Sequence, residues 1–454
     1  MSEEPRYRAF GPRHLDELGR RAGLSPADIL AMRAVATVLP FRTNAHVVEH
    51  LVDWSAVPDD PIFQLTFPQP GMLPEREVTR LVDLLAGEGK PELLRAEVAA
   101  IRARLNPHPG AQLTLNVPEL DGERLEGVQH KYSQTVLFFP APGQTCHAYC
   151  TYCFRWAQFV GDPELRFRAS DATRLVDYLR RHPEVTDVLI TGGDPLIMPA
   201  AKLARYVEPL LAADLPQLET IRIGSKALAY WPYRFAAGED ADATLQLFER
   251  VAQAGKRLAL MAHFSHPREL EPEAARAAIR RIGDTGATIY CQAPLIRHVN
   301  DDPAVWRDLW RAQARLGCVP YYMFVERDTG PHDYFKVPLA EAVEIFAGAY
   351  RDLPGLARTV RGPVMSATPG KVVVDGVIGL GSERAFALRF LQARDAQLVG
   401  RPFLARFDPR ASWLTELELL TEPDGADGRI TRARAASYTG MSTTHDTLTL
   451  SRRT

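Results

Sequence analysis

Cys146, Cys150 and Cys153 stand at C-x3-C-x2-C spacing in the stretch Thr-Cys-His-Ala-Tyr-Cys-Thr-Tyr-Cys-Phe-Arg-Trp, residues 145–156. Three thiolates on one short loop can hold three corners of a cubane [4Fe–4S] cluster. No fourth cysteine is near; the other two are Cys291 and Cys318, read as buried core residues. One iron would stay open to a substrate or cofactor, an arrangement for catalysis rather than electron relay. The alternatives are a zinc site completed by His147, or three unrelated buried thiols. A second candidate is Thr191-Gly192-Gly193-Asp194-Pro195. Glycines let backbone approach a ligand, and the Asp194 carboxylate can accept hydrogen bonds from an ammonium group. The same run also suits an ordinary strand-to-helix turn.

These residues need a frame. The chain has 454 residues, 46% hydrophobic and 24% charged, with a net charge of −2. That is ordinary globular composition, with no electrostatic case for nucleic acid or an anionic membrane. No apolar run is long enough to span a bilayer, and the N-terminus lacks the apolar core of a signal peptide. Five cysteines, three of them clustered, make no disulfide framework. An oxygen-sensitive cluster needs reducing conditions, so a cytoplasmic protein is expected.

Residues 1–125 read as a helical N-terminal wrapping domain, with segments at His14–Ala22, Pro26–Ala36 and Arg76–Leu85. From Tyr132 short apolar runs alternate with amphipathic ones. The expected strands are Thr135–Phe139, Asp187–Ile190, Thr220–Ile223, Arg257–Phe264, Ala287–Gln292 and Tyr321–Val325. The expected helices between them are Ala169–Arg181, Asp242–Ala254, Glu271–Ile282 and Val305–Leu316. Six strands joined by helices predict an α/β fold, a partial (βα)6 barrel over residues 126–352. In such barrels catalytic residues collect at the C-terminal ends of strands. The cysteine loop, Gly192-Gly193-Asp194, Gly224-Ser225-Lys226, His263 with His266, Gln292 and Glu326-Arg327-Asp328 all fall there. The two histidines read as cavity walls rather than metal ligands. Residues 353–454 read as a β-containing C-terminal extension, with the last thirty or so expected to be partly mobile.

The cysteine loop resembles the signature of radical S-adenosylmethionine (SAM) enzymes, whose open iron binds the amino and carboxyl groups of SAM. Downstream of it, Gly192-Gly193-Asp194 resembles the motif that binds the SAM amino group. With His130-Lys131-Tyr132, Arg155, Arg222-Ile223-Gly224-Ser225, His263-Phe264-Ser265-His266-Pro267, Val299-Asn300-Asp301 and Pro320-Tyr321-Tyr322, the chain resembles the lysine 2,3-aminomutase family over roughly residues 40–380. The resemblance implies a [4Fe–4S] cluster, SAM and pyridoxal 5′-phosphate (PLP), with nitrogen migrating from C2 to C3 of an amino acid after hydrogen abstraction at the β-carbon. It further implies Ser225 and Gln292 among the cofactor-binding residues, Lys371 in Pro369-Gly370-Lys371 as the PLP anchor, and Lys131 and Tyr132 as holders of its phosphate. Arg155 would clamp the substrate α-carboxylate; otherwise it forms a salt bridge on the loop, and Lys371 is a surface lysine in a turn. A reductant such as flavodoxin or ferredoxin and a homo-oligomer are implied as well.

The chain also departs from that pattern. The glycine run before Lys371 is short, Thr135 replaces a second basic residue of the phosphate clamp, and the C-terminal zinc cysteines are missing. Two aspartates that hold the distal ammonium in lysine-specific members align with Arg327 and Ser366; a slip of one residue would restore Asp328. A cation at that place favours an acidic or neutral amino acid over lysine. The expectation is therefore a 2,3-aminomutase that does not act on lysine. The alternatives are a radical reaction on this scaffold without nitrogen migration, a lysine 2,3-aminomutase, and a non-catalytic metal-binding or interaction protein.

Overall fold

The structure is a computed structural model that describes residues 6–87, 91–161 and 166–421. Eleven strands form one mixed sheet in which spatial order follows chain order. They are β1 (Val128–Tyr132), β2 (Thr135–Phe138), β3 (Asp187–Ile190), β4 (Thr220–Ser225), β5 (Arg257–His263), β6 (Thr288–Leu295), β7 (Val319–Val325), β8 (Arg361–Ser366), β9 (Gly370–Leu380), β10 (Glu383–Ala393) and β11 (Pro402–Arg406). Strands β2 to β8 run parallel, whereas β1 and β9 to β11 pair antiparallel at the two edges.

Parallel neighbours need a crossover, and helices supply it. They include Thr173–Arg181, Ala200–Ala212, Glu239–Gln253, Glu273–Asp284, Pro303–Arg315 and Leu339–Arg351. Pro303 starts its helix with a missing N–H where none is needed, and Asp302 caps it by accepting from Ala304 N at 2.6 Å. Strand residues alternate: Ile289, Cys291, Ala293 and Leu295 are buried in the helix-covered core, whereas Tyr290, Gln292 and Pro294 on the other face are half-buried. The sheet is rolled, because Lys131 Nζ on β1 reaches the Ala367 carbonyl beyond β8 at 2.5 Å. The half-buried faces therefore look into a shared interior.

The six strands expected from the sequence are all present, with ends displaced by at most three residues. The sequence reading stops too early, however. It places the Gly- and Pro-rich run after Asp352 outside the parallel set, yet Arg361–Ser366 is a seventh parallel strand. Its crossover helix Leu339–Arg351 buries Leu339, Ala342, Ile345 and Ala349 and is absent from the expected set. Early in the chain lie helices Leu15–Arg21, Pro26–Val38, Pro61–Thr66, Glu75–Ala86 and Pro91–Arg104. Strands β9 to β11 carry a second apolar cluster that includes Phe386, Leu388, Phe390, Phe403 and Trp413. The last thirty or so residues, expected to be partly mobile, lie outside the described residues.

Asn300 locks the strand ends that face the site. It is fully buried; its Oδ1 accepts from Ile296 N at 2.8 Å, and its Nδ2 donates to Ser265 O and Pro294 O at 3.0 Å each. Asn300→Ala strands three backbone groups at the ends of β5 and β6. It should cost about 3 kcal/mol in denaturant unfolding of the metal-free chain, and a loss below about 0.5 kcal/mol would contradict this role.

Candidate active site

The cysteine loop leaves β2 and is pinned from outside the sheet. Arg42 donates to Thr145 Oγ1 at 3.0 Å and to the Cys146 carbonyl at 3.3 Å. The His147 carbonyl accepts from Tyr7 Oη at 2.6 Å and from Asn44 Nδ2 at 3.1 Å. Tyr149 N donates to Arg42 O, and Thr151 N to Leu65 O. The three thiols are free and partly exposed. Burial pushes all three up, with repulsion from neighbouring thiols added at Cys146 and Cys153, Cys153 to about 12, so the thiolates need a metal partner to persist. The His147 ring is turned edge-on to Tyr7, with centroids 5.7 Å apart. Among the described residues no three His, Cys, Asp or Glu side chains converge on one metal ion. A single zinc completed by His147 does not match that geometry, whereas a cluster takes each thiolate on a separate iron.

The Gly192-Gly193-Asp194 run packs on the start of this loop. Gly193 N donates to Gly143 O at 3.1 Å and Asp194 N to Thr145 O at 2.7 Å. A Cβ at Gly193 would meet Thr145 backbone at 2.5 Å, and one at Gly192, whose φ is +140°, would meet Gln144 Nε2 at 2.1 Å. The glycines thus let the chain approach itself. The Asp194 carboxylate accepts from Ser225 Oγ at 2.8 Å and from Lys226 N and Leu196 N at 2.9 Å each. Its acceptor capacity goes largely to the chain, where it joins the ends of β3 and β4. Gln292 lies on the interior face of β6, level with His263 and Tyr322 of the neighbouring strands.

Cations crowd the rolled interior. Lys371, near the start of β9, donates to Gln392 Oε1 at 2.6 Å and lies 5.5 and 5.0 Å from the ring centroids of Tyr132 and Tyr322. Burial, with Arg222 and Arg361 nearby, lowers it to about 7. Burial also lowers Lys131 well below its ordinary value, helped by Arg327, Arg394 and Lys371. Tyr132 Oη is buried without a hydrogen-bond partner, the Ser366 hydroxyl being beside it. The buried Arg155 guanidinium lies over the rings of Phe139 at 4.4 Å and Phe154 at 5.0 Å. It forms no ion pair or hydrogen bond among the described residues, which hold no partner for the loop salt bridge considered from sequence. Arg327 sits past the end of β7, 5.7 Å from the Trp413 ring, with its Nε unpartnered and Asp328 Oδ1 at 3.8 Å. Glu326 turns away to His332 Nδ1 at 2.5 Å, and burial raises its carboxyl to about 7.

Sequence reasoning missed Gln392, Arg394 and Trp413. They come from the last strands and the segment after them, and only the alternation Phe386, Leu388, Phe390 marks β10 as a strand that would return Gln392 to Lys371. Ser366, expected at the distal end of a substrate, pairs with Lys371 in register and lies by Tyr132. Cys291 and Cys318 are buried in the core, as expected.

No family model matches the chain. A provisionally assigned L-lysine 2,3-aminomutase of Aquifex aeolicus is 35% identical over 301 residues, 66% of this chain and 76% of that protein. The chain belongs to the lysine 2,3-aminomutase family. The L-lysine 2,3-aminomutases of Fusobacterium nucleatum and Clostridium subterminale are 29% and 28% identical, and the chain spans about half the length of each, 51% and 50%. Among solved structures, a radical SAM methyltransferase of Sphaerobacter thermophilus has a TM-score of 0.31 and 18% identity over 44% of this chain and 58% of that one, too remote to bear on the fold.

The family's enzymes are radical SAM isomerases that use a [4Fe–4S] cluster, SAM and PLP. The side chains present suit these groups. Three half-buried thiols on a pinned loop suit the cluster. The buried Tyr132 phenol beside Lys131 suits a phosphate, and the partly buried Lys371 amine, lowered to about 7, suits an aldehyde carbon.

A buried cation whose folded pKa is depressed costs stability in full below about pH 7, and the cost fades as pH rises toward the unfolded value of 10.5. Lys371→Met should therefore stabilise the cofactor-free chain at pH 6 and do so less at pH 9 in denaturant unfolding. Equal effects at both pH values would contradict the shift.

Proposed function

We propose that this protein is a radical SAM, PLP-dependent 2,3-aminomutase that converts an acidic or neutral α-amino acid, rather than lysine, into a β-amino acid. The observation that carries the substrate reading is Arg327. The side chain is largely but not fully buried, its Nε is buried without a hydrogen-bond partner, and its carboxylate neighbour stands off at 3.8 Å, so a substrate carboxylate would supply a closer partner. A substrate ammonium there would add repulsion. The parallel strands β2 to β7 with their helices are read as a partial (βα)6 barrel over residues 126–352. Residues 1–125 would be its helical wrapping domain and residues 353–454 its extension.

Cys146, Cys150 and Cys153 would hold the cluster, and the ends of β3, β4 and β6, with Gly192, Gly193, Asp194, Ser225 and Gln292, would seat SAM. Lys371 would hold PLP, with Lys131 and Tyr132 toward its phosphate. When bound, the cluster with SAM supplies an adenosyl radical, and PLP supplies a carbonyl that captures the substrate nitrogen. The chain's own part is positioning. Arg155 offers a planar fork to the α-carboxylate, with its Cζ over the rings of Phe139 and Phe154. Arg327 offers a second anion site, backed by Trp413. Fixing the amino acid at both ends would leave its β-carbon in one orientation toward the cysteine loop. A low-potential donor such as flavodoxin or ferredoxin would deliver the electron, and a reducing cytoplasm suits the cluster.

A specific observation favours lysine as the second reading. Asp328 Oδ1 and Glu326 Oε1 are buried acceptors without partners, and either would welcome an ammonium. Reconstituted, reduced enzyme with SAM, PLP and a panel of lysine, glutamate, aspartate and a neutral amino acid separates the two by mass spectrometry of β-amino products. The acidic substrates should be preferred, and Arg327→Ala should lower their kcat/KM by about 10- to 100-fold. Preference for lysine, or an unchanged preference in Arg327→Ala, would overturn the substrate reading.

A further inference from the structure

Tyr230 has no part in the scheme so far, yet its Oη lies 3.2 Å from Cys150 Sγ. Tyr230 is buried at the end of the short helix Ala227–Tyr230, which follows β4. Three features fix it. Its N–H donates to Lys226 O at 2.9 Å. Its carbonyl accepts from Asn44 Nδ2 at 2.9 Å, and the same amide nitrogen holds the His147 carbonyl of the cysteine loop. One Asn44 side chain thus sets the spacing between the tyrosine and the loop. Lys226 Nζ lies 4.8 Å from the Tyr230 ring centroid and is paired with the buried Glu269 carboxylate at 2.7 Å. Glu269 is itself held by Ser265 N at 2.5 Å and His266 N at 3.1 Å.

A thiolate bound to iron has no proton to give, so in the contact between Tyr230 and Cys150 the phenol must donate. Hydrogen bonds to cysteine sulfur are among the levers that set an iron–sulfur potential. The reduced cluster carries one more negative charge than the oxidised one, so a donor aimed at its sulfur stabilises the reduced form more. The ammonium of Lys226 over the ring polarises the phenol in the same sense. We propose that Tyr230 is a positioning residue that raises the reduction potential of the cluster through its hydrogen bond to Cys150. The inference rests on the reading that Cys146, Cys150 and Cys153 hold the cluster. The step concerned is the transfer of one electron from a low-potential donor to the cluster, with no proton moved from Tyr230.

The test is a redox titration of the reconstituted full chain, with dithionite as reductant and electron paramagnetic resonance of the reduced cluster as readout. In Tyr230→Phe, with iron and sulfide content as in wild type, reduction should be about tenfold less favourable, a midpoint about 59 mV more negative. Tyr233→Phe, in the next helical turn Pro232–Phe235, should leave it unchanged. Resonance Raman iron–thiolate bands should shift in heavy water more for wild type than for Tyr230→Phe, the residual shift coming from Tyr152 Oη at Cys150 and Arg155 N at Cys153. If Tyr230→Phe loads poorly, fluorotyrosine placed at 230 keeps the shape and strengthens the donor, and the midpoint should move the other way. An unchanged midpoint in a fully loaded Tyr230→Phe, or in the fluorotyrosine protein, overturns the proposal. Full iron content in Cys150→Ala would instead overturn the cluster reading beneath it.

Discussion

Positive charge gathered inside a rolled sheet is the constraint on which the rest of this structure depends. Lys131, Arg155, Arg327 and Lys371 are buried or partly buried around the interior, with Arg222, Arg361 and Arg394 close by. Only part of this charge is answered from within. Asp187 pairs with Arg222, Asp328 stands 3.8 Å from Arg327, and Arg394 is taken up by Asn116 and by carbonyls. Arg155 has aromatic faces rather than an acid. Charge buried this way is costly unless paired. Anionic ligands would pair with it, and the phosphate of the family's PLP is one such group.

The loop that carries the thiols is rigid for a related reason. Its backbone is held by Arg42, Asn44 and Tyr7 on one side and by the Gly192-Gly193-Asp194 turn on the other. Gly193 allows an approach to the Thr145 backbone that a Cβ would forbid, and Gly192 supplies a positive φ. Asp194 then couples this turn to β4 through Ser225 and Lys226. A shift in one strand end would thereby be felt at the thiols. Such a chain of supports is the structural form that precise positioning takes when no single residue can provide it.

Much of this was legible in the sequence because it is local. The strand Asp187–Ile190 is an apolar run bounded by a charge and by Thr-Gly-Gly, and its limits fall where the pattern predicts. The thiol spacing and the glycine turn are local as well. What escaped is set by long-range contact. The β8 strand begins Arg-Gly-Pro, which reads as a turn, and its strand character comes from pairing with β7. The partners of Lys371 and Arg327 are Gln392 and Trp413, brought in from distant segments. Asp194 read as a ligand for an ammonium because its type and position allow it; only the structure has Ser225 and two backbone N–H groups already on its oxygens.

The central claim, that this cationic interior is a PLP site anchored at Lys371, is tested most directly by chemical capture. Full-length protein loaded with PLP is reduced with borohydride, digested and mapped by mass spectrometry. One pyridoxyl label is expected, on Lys371, and it is lost in Lys371→Met. A label on Lys131 or Lys226, or no label on protein that still cleaves SAM, would contradict it.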